Sequence, residues 1–351
     1  MKKILHIFSV LNRGGAELRT IELVNHFPEE YQFHFLCLSG KRGELDEKVL
    51  VNGGTIHYIN IREKGFSKKY RRLIKAEKID IVHSHVFLMS GYLNFLSRLE
   101  NVKGRITHFR TSNDAKKKSL FRMFRNFILR VLVEIFSTDI LYVSNVAKKK
   151  VISKKIIPSK HFVIHNGFKA SSFPKVIKEK EFVSVGRFIE TKNQIFLLEV
   201  LSILKEKYNT FIKIYFVGLN NTEYGDIFKN IIKKKGLEEN VEIVGVIENV
   251  PEYISEFKYF LFPTKLEGLP GALIEAHLAK CFVINSDIEE NIEVNSYFKE
   301  SSMNLKLDSN LWAQKINEVL DSPPLVNENL NDNPFKLEKN FLNVKNIYDK
   351  Y

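Results

Sequence analysis

The sequence has few of the residues that build disulfide-rich or cysteine-ligated proteins. Its 351 residues include only two cysteines, Cys37 and Cys281, which lie far apart and form no Cys-x-x-Cys pair. This argues against a disulfide framework and against a cysteine zinc site, and it fits a reducing compartment. Long apolar runs are also missing, since no stretch reaches the roughly 18 residues that a membrane-spanning helix needs.

Two nucleotide-binding signatures are absent as well. The turn at Asn12–Glu17 lacks the spacing Gly-x-Gly-x-x-Gly, and the second apolar run ends in Leu38-Ser39-Gly40 without an acid that could hold an adenosine ribose. Both omissions argue against a dinucleotide-dependent dehydrogenase. No Asp-x-Asp occurs in the chain, so neither a metal-bridged diphosphate nor any other metal site is expected.

The amino terminus resembles a signal peptide only in part. Met1-Lys2-Lys3 precedes the apolar run Ile4–Leu11, but that run contains His6 and is followed by no small-residue cleavage site. We interpret the run as a first buried strand. The sequence therefore predicts a cytoplasmic protein.

The positive charge of the chain is concentrated in its first half. The net charge is +13, but residues 1–168 carry 31 lysines and arginines against 14 acids, whereas the remainder is slightly acidic. Such an imbalance favours an anionic surface or substrate for the first half. A lysine-rich coding preference would produce the same imbalance.

Short apolar runs alternate with helical periodicity along the whole chain, which predicts parallel sheets with crossover helices. The pattern restarts after a polar, irregular stretch at 166–181, which we interpret as an interdomain hinge. The sequence therefore predicts an α/β protein with one Rossmann-like domain at residues 1–168 and another at residues 169–334. A C-terminal helix at 335–351 is expected to return toward the first domain.

The segment Glu267–Glu275, with the sequence EGLPGALIE, carries the strongest chemical signal. It follows a predicted strand, and Pro270 can occupy the first helical position, where its missing N–H costs nothing. The amides and dipole of that helix favour a phosphate, whereas the two glutamates suit hydrogen bonds from sugar and ribose hydroxyls. Taken alone, the segment fits equally well a first-turn acid and an exposed glutamate on a surface helix.

A second signal, Gly186–Asn193, also lies between a predicted strand and a predicted helix. Its sequence GRFIETKN places Arg187 and Lys192 at the carboxyl edge of the sheet, where open α/β sheets bind ligands. Two cations there suit a diphosphate, although they could also be solvated surface charges. A third turn contains Gly14 and Gly15, which would let the backbone approach an anion closely or simply form a strand-to-helix turn.

These three motifs, in this order and spacing, resemble the bacterial retaining glycosyltransferases of GT-B fold. The resemblance is narrowest to glycosyltransferase family 4, whose members build capsular, exopolysaccharide and lipopolysaccharide chains. It extends over nearly the whole chain and includes Asp80–His85, Ile106–His108 and Val163–Gly167. The implied fold is two Rossmann-like domains facing a central cleft, with the nucleotide-sugar donor held by the second and the acceptor approaching the first.

The resemblance also implies a role for each matched residue. The glutamates matching Glu275 and Glu267 bind the donor ribose and lie close to the donor sugar, respectively. Arg187 and Lys192 would neutralise the departing diphosphate. Backbone amides for the sugar and phosphate would come from Gly268, Leu269, Pro270, Gly271, Ala272 and Leu273.

Two site residues are implied for the first domain. Gly15 would approach the donor phosphates, and His108 would lie near the reacting sugar. Without the family, a lone histidine after a strand is more often a structural residue. We expect His108, Arg187, Lys192 and Glu267 to act in catalysis, with retention of anomeric configuration, no cofactor and a uridine-diphosphate sugar as the default donor.

The sequence departs from the family pattern in two places. Phe168-Lys169 follows the hinge Asn-Gly, where an acidic residue is usual, and the chain reads Ala279-Lys280-Cys281-Phe282 where the family usually has a Gly and then a Pro before the next strand. These positions lie behind the proposed site and not at its contacts.

The stretch Lys116–Phe136 combines apolar residues at helical spacing with interspersed arginines. It predicts a helix that binds an anionic membrane surface, which suits a lipid-linked acceptor reached from the inner face of the cytoplasmic membrane. The other interpretation is that the helix packs its apolar stripe into the core of the first domain.

Three other functions compete with a glycosyltransferase. A nucleic-acid-binding protein is disfavoured because no zinc-finger or aromatic RNA-binding signature accompanies the charge. A sugar-nucleotide epimerase of similar two-domain shape and a catalytically weak scaffold of a polysaccharide assembly complex both stay open.

Overall fold

Two parallel β-sheets organise the chain, one in each of two compact units. In this computed structural model, the first unit comprises Met1–Gly167 and Leu337–Tyr351, and the second comprises Phe168–Lys336. The residues described by the structure are 1–27, 29–111, 119–151, 158–169, 173–174, 176–298, 300–326 and 333–351.

The first unit has a seven-stranded sheet with the order β3-β2-β1-β4-β5-β6-β7. Its strands are Lys2–Phe8 (β1), Tyr31–Cys37 (β2), Thr55–Tyr58 (β3), Ile81–Ser84 (β4), Gly104–Phe109 (β5), Asp139–Tyr142 (β6) and His161–Val163 (β7). Its helices are Gly15–His26 (α1), Asp46–Val51 (α2), Phe66–Glu77 (α3), Ser90–Leu99 (α4), Leu120–Phe136 (α5), Asn145–Val151 (α6) and Leu337–Tyr348 (α13).

The second unit has a six-stranded sheet with the order β10-β9-β8-β11-β12-β13. Its strands are Lys180–Val185 (β8), Ile214–Val217 (β9), Val241–Gly245 (β10), Phe257–Phe262 (β11), Phe282–Ser286 (β12) and Ser302–Leu305 (β13). Its helices are Gln194–Tyr208 (α7), Glu223–Lys235 (α8), Val250–Ser255 (α9), Gly271–Leu278 (α10), Glu289–Asn295 (α11) and Ser309–Asp321 (α12).

Among the described residues, every strand pair of the two sheets is parallel, and helices pack on both faces of each sheet. In β1, Ile4 and Phe8 pack with α1 and α13, while Leu5 and Ile7 pack on the opposite face with α3 and α4. Burial on both faces explains why the central strands read as nearly continuous apolar runs. The predicted α/β architecture with two parallel-sheet domains is confirmed.

The sequence pattern failed to indicate three elements of the second unit, α11, β13 and α12. β13 has the sequence SMNL and only its last residue is buried, because it lies at the edge of the sheet. Such a short, half-polar strand has no clear alternation. α12 is held at its start by Asp308, whose side chain accepts a hydrogen bond from the Leu311 amide.

Candidate active site

The centre of the second sheet is a topological switch point. β8 and β11 are neighbours there, and the strand order runs outward from them in opposite directions. Open α/β sheets bind ligands in the crevice outside the carboxyl ends of such strands. The loop after β8 contains Arg187 and Lys192, and the loop after β11 contains Glu267.

Hydrogen bonds tie these two loops together. The carbonyl oxygen of Thr191 accepts from the Thr264 hydroxyl at 2.9 Å and from the Lys265 amide at 2.8 Å. The side-chain amide of Asn193 donates to the carbonyl of Pro263 at 3.1 Å. The two loops are therefore positioned as one unit before any ligand binds.

The backbone around Arg187 is also fixed from behind. The side-chain amide of Gln194, at the start of α7, donates to the carbonyls of Gly186 at 3.1 Å and Arg187 at 2.9 Å. Gly218, with φ +143°, lies so close that a Cβ there would stand 2.2 Å from the Gly186 carbonyl oxygen. Only glycine fits such an approach between the ends of β8 and β9.

Lys192 and Glu267 are in direct contact. The Lys192 ammonium donates to Oε1 of Glu267 at 2.5 Å, and the Thr264 hydroxyl, whose single hydrogen is shared between this oxygen and the Thr191 carbonyl, lies 2.9 Å from it. Both side chains are largely buried, at 21% and 10% exposed. Arg187, by contrast, is exposed.

The helix α10 begins at Gly271, so Pro270 precedes the first helical residue instead of occupying it. The Ile274 amide is the first to bond back into the helix, to the carbonyl of Pro270 at 3.1 Å. The amides before it belong to the first turn, which an α-helix leaves without internal acceptors. Leu273 is fully buried in the apolar core, so only its backbone can serve a ligand.

The carboxylates of the motif lie on different elements. Glu267 is on the loop, and Glu275 is the fifth residue of α10, half-buried. Gly268 and Ala272 are also partly exposed, and so are Leu269 and Gly271. The structure thus brings Lys192 and Glu267 together, while the roles of the other residues in donor binding stay predictions.

In the first unit, Gly15 is the first residue of α1, and a Cβ on it would meet no atom within 4 Å. The space beside it is open. His108 lies at the carboxyl end of β5 and is buried. Its Nδ1 is 3.1 Å from Nε2 of His83, whereas no described residue lies within hydrogen-bond distance of its own Nε2.

His108 belongs to a histidine cluster that the sequence motifs do not indicate as a unit. His6 of β1 pairs in register with His83 of β4, and the same two strands form the switch point of the first sheet. His85 stacks on His83 with ring centres 4.3 Å apart. The signal was a histidine near the carboxyl end of three neighbouring strands, which the sequence contains at His6, His83 and His108.

The histidine rings of the cluster are neutral, and the cation beside them is Arg110. Burial, and then the charge of Arg110, lowers the pKa of His6 to about 3. Burial is also the main cause that holds the pKa values of His83, His85 and His108 well below the ordinary histidine value. A histidine in such surroundings carries a single ring proton at neutral pH.

The helix predicted from Lys116–Phe136 begins at Leu120; residues 116–118 lie outside the described part of the chain. Its apolar stripe is exposed, with fractions between 39% and 79% at Phe121, Phe124, Ile128, Val131 and Ile135. The interpretation that this stripe packs into the core of the first domain is therefore wrong. Only Leu129 and Val133 are buried.

No helix among the described residues combines the length and apolar character needed to cross a bilayer.

Two family models match the chain. Residues 13–171 match the model described as Glycosyltransferase Family 4, and residues 168–334 match the one described as Glycosyl transferases group 1.

Curated relatives agree with the family models. The chain is 48% identical over 99% of both chains to the capsular polysaccharide biosynthesis glycosyltransferase CapH of Staphylococcus aureus. It is 26% identical to the putative glycosyltransferase EpsF of Bacillus subtilis, over 90% of this chain and 87% of the relative. A Campylobacter jejuni relative, 24% identical over 82% of this chain and 81% of its own length, is named as an N-acetylgalactosaminyltransferase that acts on a diphospho-undecaprenol-linked sugar.

Solved structures share the fold at low identity. HepE from Anabaena, crystallised with UDP, covers all of both chains with a TM-score of 0.81 at 14% identity. The lipopolysaccharide outer core galactosyltransferase WaaB covers all of both chains with a TM-score of 0.72 at 16% identity.

Proposed function

The chain belongs to the bacterial glycosyltransferases of GT-B fold, with a family 4 first domain, and from that premise we propose its reaction. It transfers a sugar from a nucleoside-diphosphate donor to a lipid-linked acceptor in capsular polysaccharide synthesis. The observation that carries this proposal is the switch point of the second sheet. There Arg187, Lys192 and the first turn of α10 follow two adjacent strands.

Donor cleavage needs positive charge at the diphosphate. Breaking the bond between the anomeric carbon and phosphate leaves negative charge on the leaving group and positive charge on the sugar. Arg187 can grip the diphosphate with two N–H groups, and Lys192 adds a point charge. The first-turn amides of α10 add fixed dipoles of the same sign. Together these groups lower the barrier in the way preorganised donors do.

The carboxylates have a separate task. Glu275 accepts hydrogen bonds from the donor ribose, and Glu267 lies against the sugar. Because Oε1 of Glu267 is held by Lys192 and Thr264, the carboxylate is oriented before the donor arrives. A sugar hydroxyl that donates to Glu267 would then couple sugar recognition to the position of Lys192.

The anomeric configuration is retained, and no metal takes part. We base retention on the family resemblance, and we base metal independence on the cations that the chain itself supplies. Proton NMR of the product of a UDP-sugar reaction run in EDTA tests both proposals. Inverted anomeric stereochemistry, or activity restored only by added Mg²⁺ or Mn²⁺, would contradict them.

The acceptor is a lipid-linked sugar at the inner face of the cytoplasmic membrane. The named reactions of the Campylobacter jejuni relative and of an Escherichia coli galactosyltransferase, 26% identical over 63% of this chain and 61% of the relative, involve diphospho-undecaprenol acceptors. The apolar stripe of α5 supports the same location. Arg122 and Arg125 flank it, so the helix offers apolar and cationic contacts to anionic lipids.

Calorimetric titration with a panel of nucleotide sugars tests donor binding most directly. We expect one UDP-sugar to bind. In a transfer assay with that donor, we expect Arg187→Ala to lower kcat/KM by about 10² to 10³, the cost of one missing charge-stabilising donor. Lys234→Ala, which removes an exposed charge of the same unit, is the control.

The two rival functions predict different results. Isomerisation of the donor without an acceptor would identify an epimerase. Wild-type product formation by the Arg187→Ala variant would identify a scaffold.

Flotation of the full chain with vesicles tests the membrane contact. We expect binding to phosphatidylglycerol vesicles at low salt and weaker binding by a Phe121→Ser, Phe124→Ser double variant. Phe211→Ser is the matched control, because Phe211 is 65% exposed in the second unit. No flotation, or equal flotation by the double variant, would remove the membrane from the proposal, and a dimer that dissociates in the double variant would show that a second copy covers the stripe.

A further inference from the structure

The histidine cluster of the first unit is a continuous chain of hydrogen bonds that runs from Arg110 to His108. In order, its contacts are Arg110 Nε to His85 Nδ1 at 3.3 Å, His85 Nε2 to His6 Nδ1 at 3.1 Å, His6 Nε2 to Tyr348 Oη at 3.5 Å, Tyr348 Oη to His83 Nδ1 at 2.6 Å, and His83 Nε2 to His108 Nδ1 at 3.1 Å. Each ring uses both of its nitrogens in the chain except His108.

Arg110 sets the donor-to-acceptor direction of the whole chain of hydrogen bonds. A guanidinium only donates, so Nδ1 of His85 must be the acceptor. A neutral imidazole that accepts at one nitrogen carries its proton on the other, so Nε2 of His85 donates to His6. The same logic passes through His6 to Tyr348, whose hydroxyl accepts from His6 and donates to His83.

The last step reaches His108. Nε2 of His83 donates to Nδ1 of His108, and the proton of His108 is therefore on Nε2. The reverse direction would place a proton on Nδ1 of His85, where it would face the N–H of Arg110. Two donors pointed at each other cost the energy of an unmade hydrogen bond as well as their mutual repulsion.

We propose that Arg110 and Tyr348 are positioning residues that fix the tautomer of His108, so that it presents an Nε2–H donor to a ligand oxygen. Nε2 of His108 is buried and has no acceptor among the described residues. A buried donor without a partner destabilises the ligand-free protein, and a bound oxygen would remove that cost. His108 in this state cannot serve as a general base, because its only lone pair is occupied by His83.

The low pKa values of the four histidines agree with this wiring, since only neutral rings can both accept and donate. They also bear on a metal in the cluster. His6, His83 and His85 each offer a ring nitrogen, and these three atoms lie within 4.8 Å of one another. A cation there would face Arg110 and would have to displace the hydrogen bonds of the chain, so the structure favours the proton wiring.

The tautomer itself is a property of the first unit and does not depend on the donor. Its consequence, a hydrogen bond to an oxygen of the sugar or the diphosphate, rests on the proposed function. The two can therefore fail separately.

Side-chain ¹H–¹⁵N spectra of the full chain labelled with [¹⁵N]histidine test the proposal at neutral pH, with His108 assigned from a His108→Gln variant. We expect a protonated Nε2 and an unprotonated Nδ1 at His108. Tyr348→Phe removes one hydroxyl from the chain of hydrogen bonds. Both nitrogens of His108 should then shift toward the values of a mixed population of tautomers. The same variant should lower kcat about tenfold while the donor KM changes little, as loss of one transition-state hydrogen bond does.

Tyr351→Phe is the matched control, because Tyr351 follows the same helix and its hydroxyl bonds to Asp139 outside the chain. Its His108 signals should match those of the unmodified protein. Arg110→Met removes the donor at the other end of the chain of hydrogen bonds. It should reproduce the shift of the His108 signals if Tyr348→Phe fails to fold. A proton on Nδ1 of His108 in the unmodified protein, unchanged signals in both Tyr348→Phe and Arg110→Met, or stoichiometric Zn²⁺ binding by the cluster would overturn the proposal.

Discussion

At the scale of single residues, Lys192 and Glu267 show how one contact serves two charges. The Lys192 ammonium also lies 5.3 Å from the centre of the Phe262 ring, so it is held on two sides. Truncating one partner would leave the other partly buried and unpaired, which costs more than the pair itself contributes. The pair therefore has a structural role in the ligand-free protein, separate from its role in donor binding.

A double-mutant cycle of Lys192→Met and Glu267→Gln separates these roles. In unfolding experiments we expect a coupling energy of about 1 kcal/mol, within the range found for side chains in direct contact. Each single variant should also lower kcat strongly, because the proposed function assigns Lys192 to the leaving group and Glu267 to the sugar. A coupling energy near zero in unfolding would mean that the two side chains do not pair in solution.

At the scale of elements, the C-terminal end of α10 accounts for one departure from the family pattern. Lys280 lies in the stretch Ala279–Phe282, where the family usually has a glycine, and it adopts φ +57°. The Lys280 amide donates to the His277 carbonyl at 2.9 Å, and the Cys281 amide donates to the Ala276 carbonyl at 2.9 Å. The left-handed turn that glycine favours is thus kept by a lysine at a conformational cost.

Lys280→Gly should relieve that cost. We expect the free energy of unfolding to rise by about 0.5–1 kcal/mol, since glycine enters this region of φ without steric penalty. Urea denaturation, monitored by a signal from the second unit, measures this change in the free energy of unfolding. The opposite sign would mean that contacts of the lysine side chain outweigh the backbone strain.

The two faces of helix α5 differ in their surroundings. Its inner face approaches α4 so closely that a Cβ on Gly91 would lie 2.6 Å from the Leu129 carbonyl oxygen. Its outer face is the apolar stripe, whose side chains are exposed in the described part of the unit. Stability should therefore depend on the inner face alone.

Leu129→Ala and Phe124→Ala test this division by thermal or urea unfolding. The first deletes a buried side chain and should cost about 2–3 kcal/mol, whereas the second deletes a larger but 66% exposed one and should cost less than about 0.5 kcal/mol. A large loss in Phe124→Ala would indicate that the stripe is covered in solution by another chain.

At the scale of the whole molecule, the histidines are distributed unevenly. Nine of the ten belong to the first unit, and His277 is the exception. Burial lowers the pKa of His277 to about 4, and that of His6 to about 3. The first unit also holds the buried rings of His83 and His108, so acid should act on it more strongly.

The direction in which stability changes with pH follows from proton binding. Imidazoles in the unfolded chain titrate near pH 6.5, whereas the buried ones stay neutral well below that, so the unfolded state binds more protons between these values. Stability is complete above pH 6.5 and falls as the pH drops toward the lowered pKa values. Each fully buried histidine should contribute a loss of about 2 kcal/mol between pH 6.5 and 5.

Hydrogen exchange at pH 7 and pH 5 measures this unit by unit. We expect peptides from β4 and β5 to lose protection at pH 5 while peptides from β11 and β12 keep most of theirs. Equal losses in both units would contradict the prediction.

The sequence by itself determined the two-domain α/β class, the family, the loops that carry Arg187, Lys192 and Glu267, and the helix that carries Glu275. Strand-helix alternation and short motifs are local, and each is legible from neighbouring residues alone. Tertiary structure decided which groups meet. Lys192 pairs with a residue on another loop, and His6, His83, His108 and Tyr348 come together from three strands and the final helix. Spatial pairing depends on strand order, and strand order is set by how distant segments bury their apolar faces, so no local pattern could reveal it.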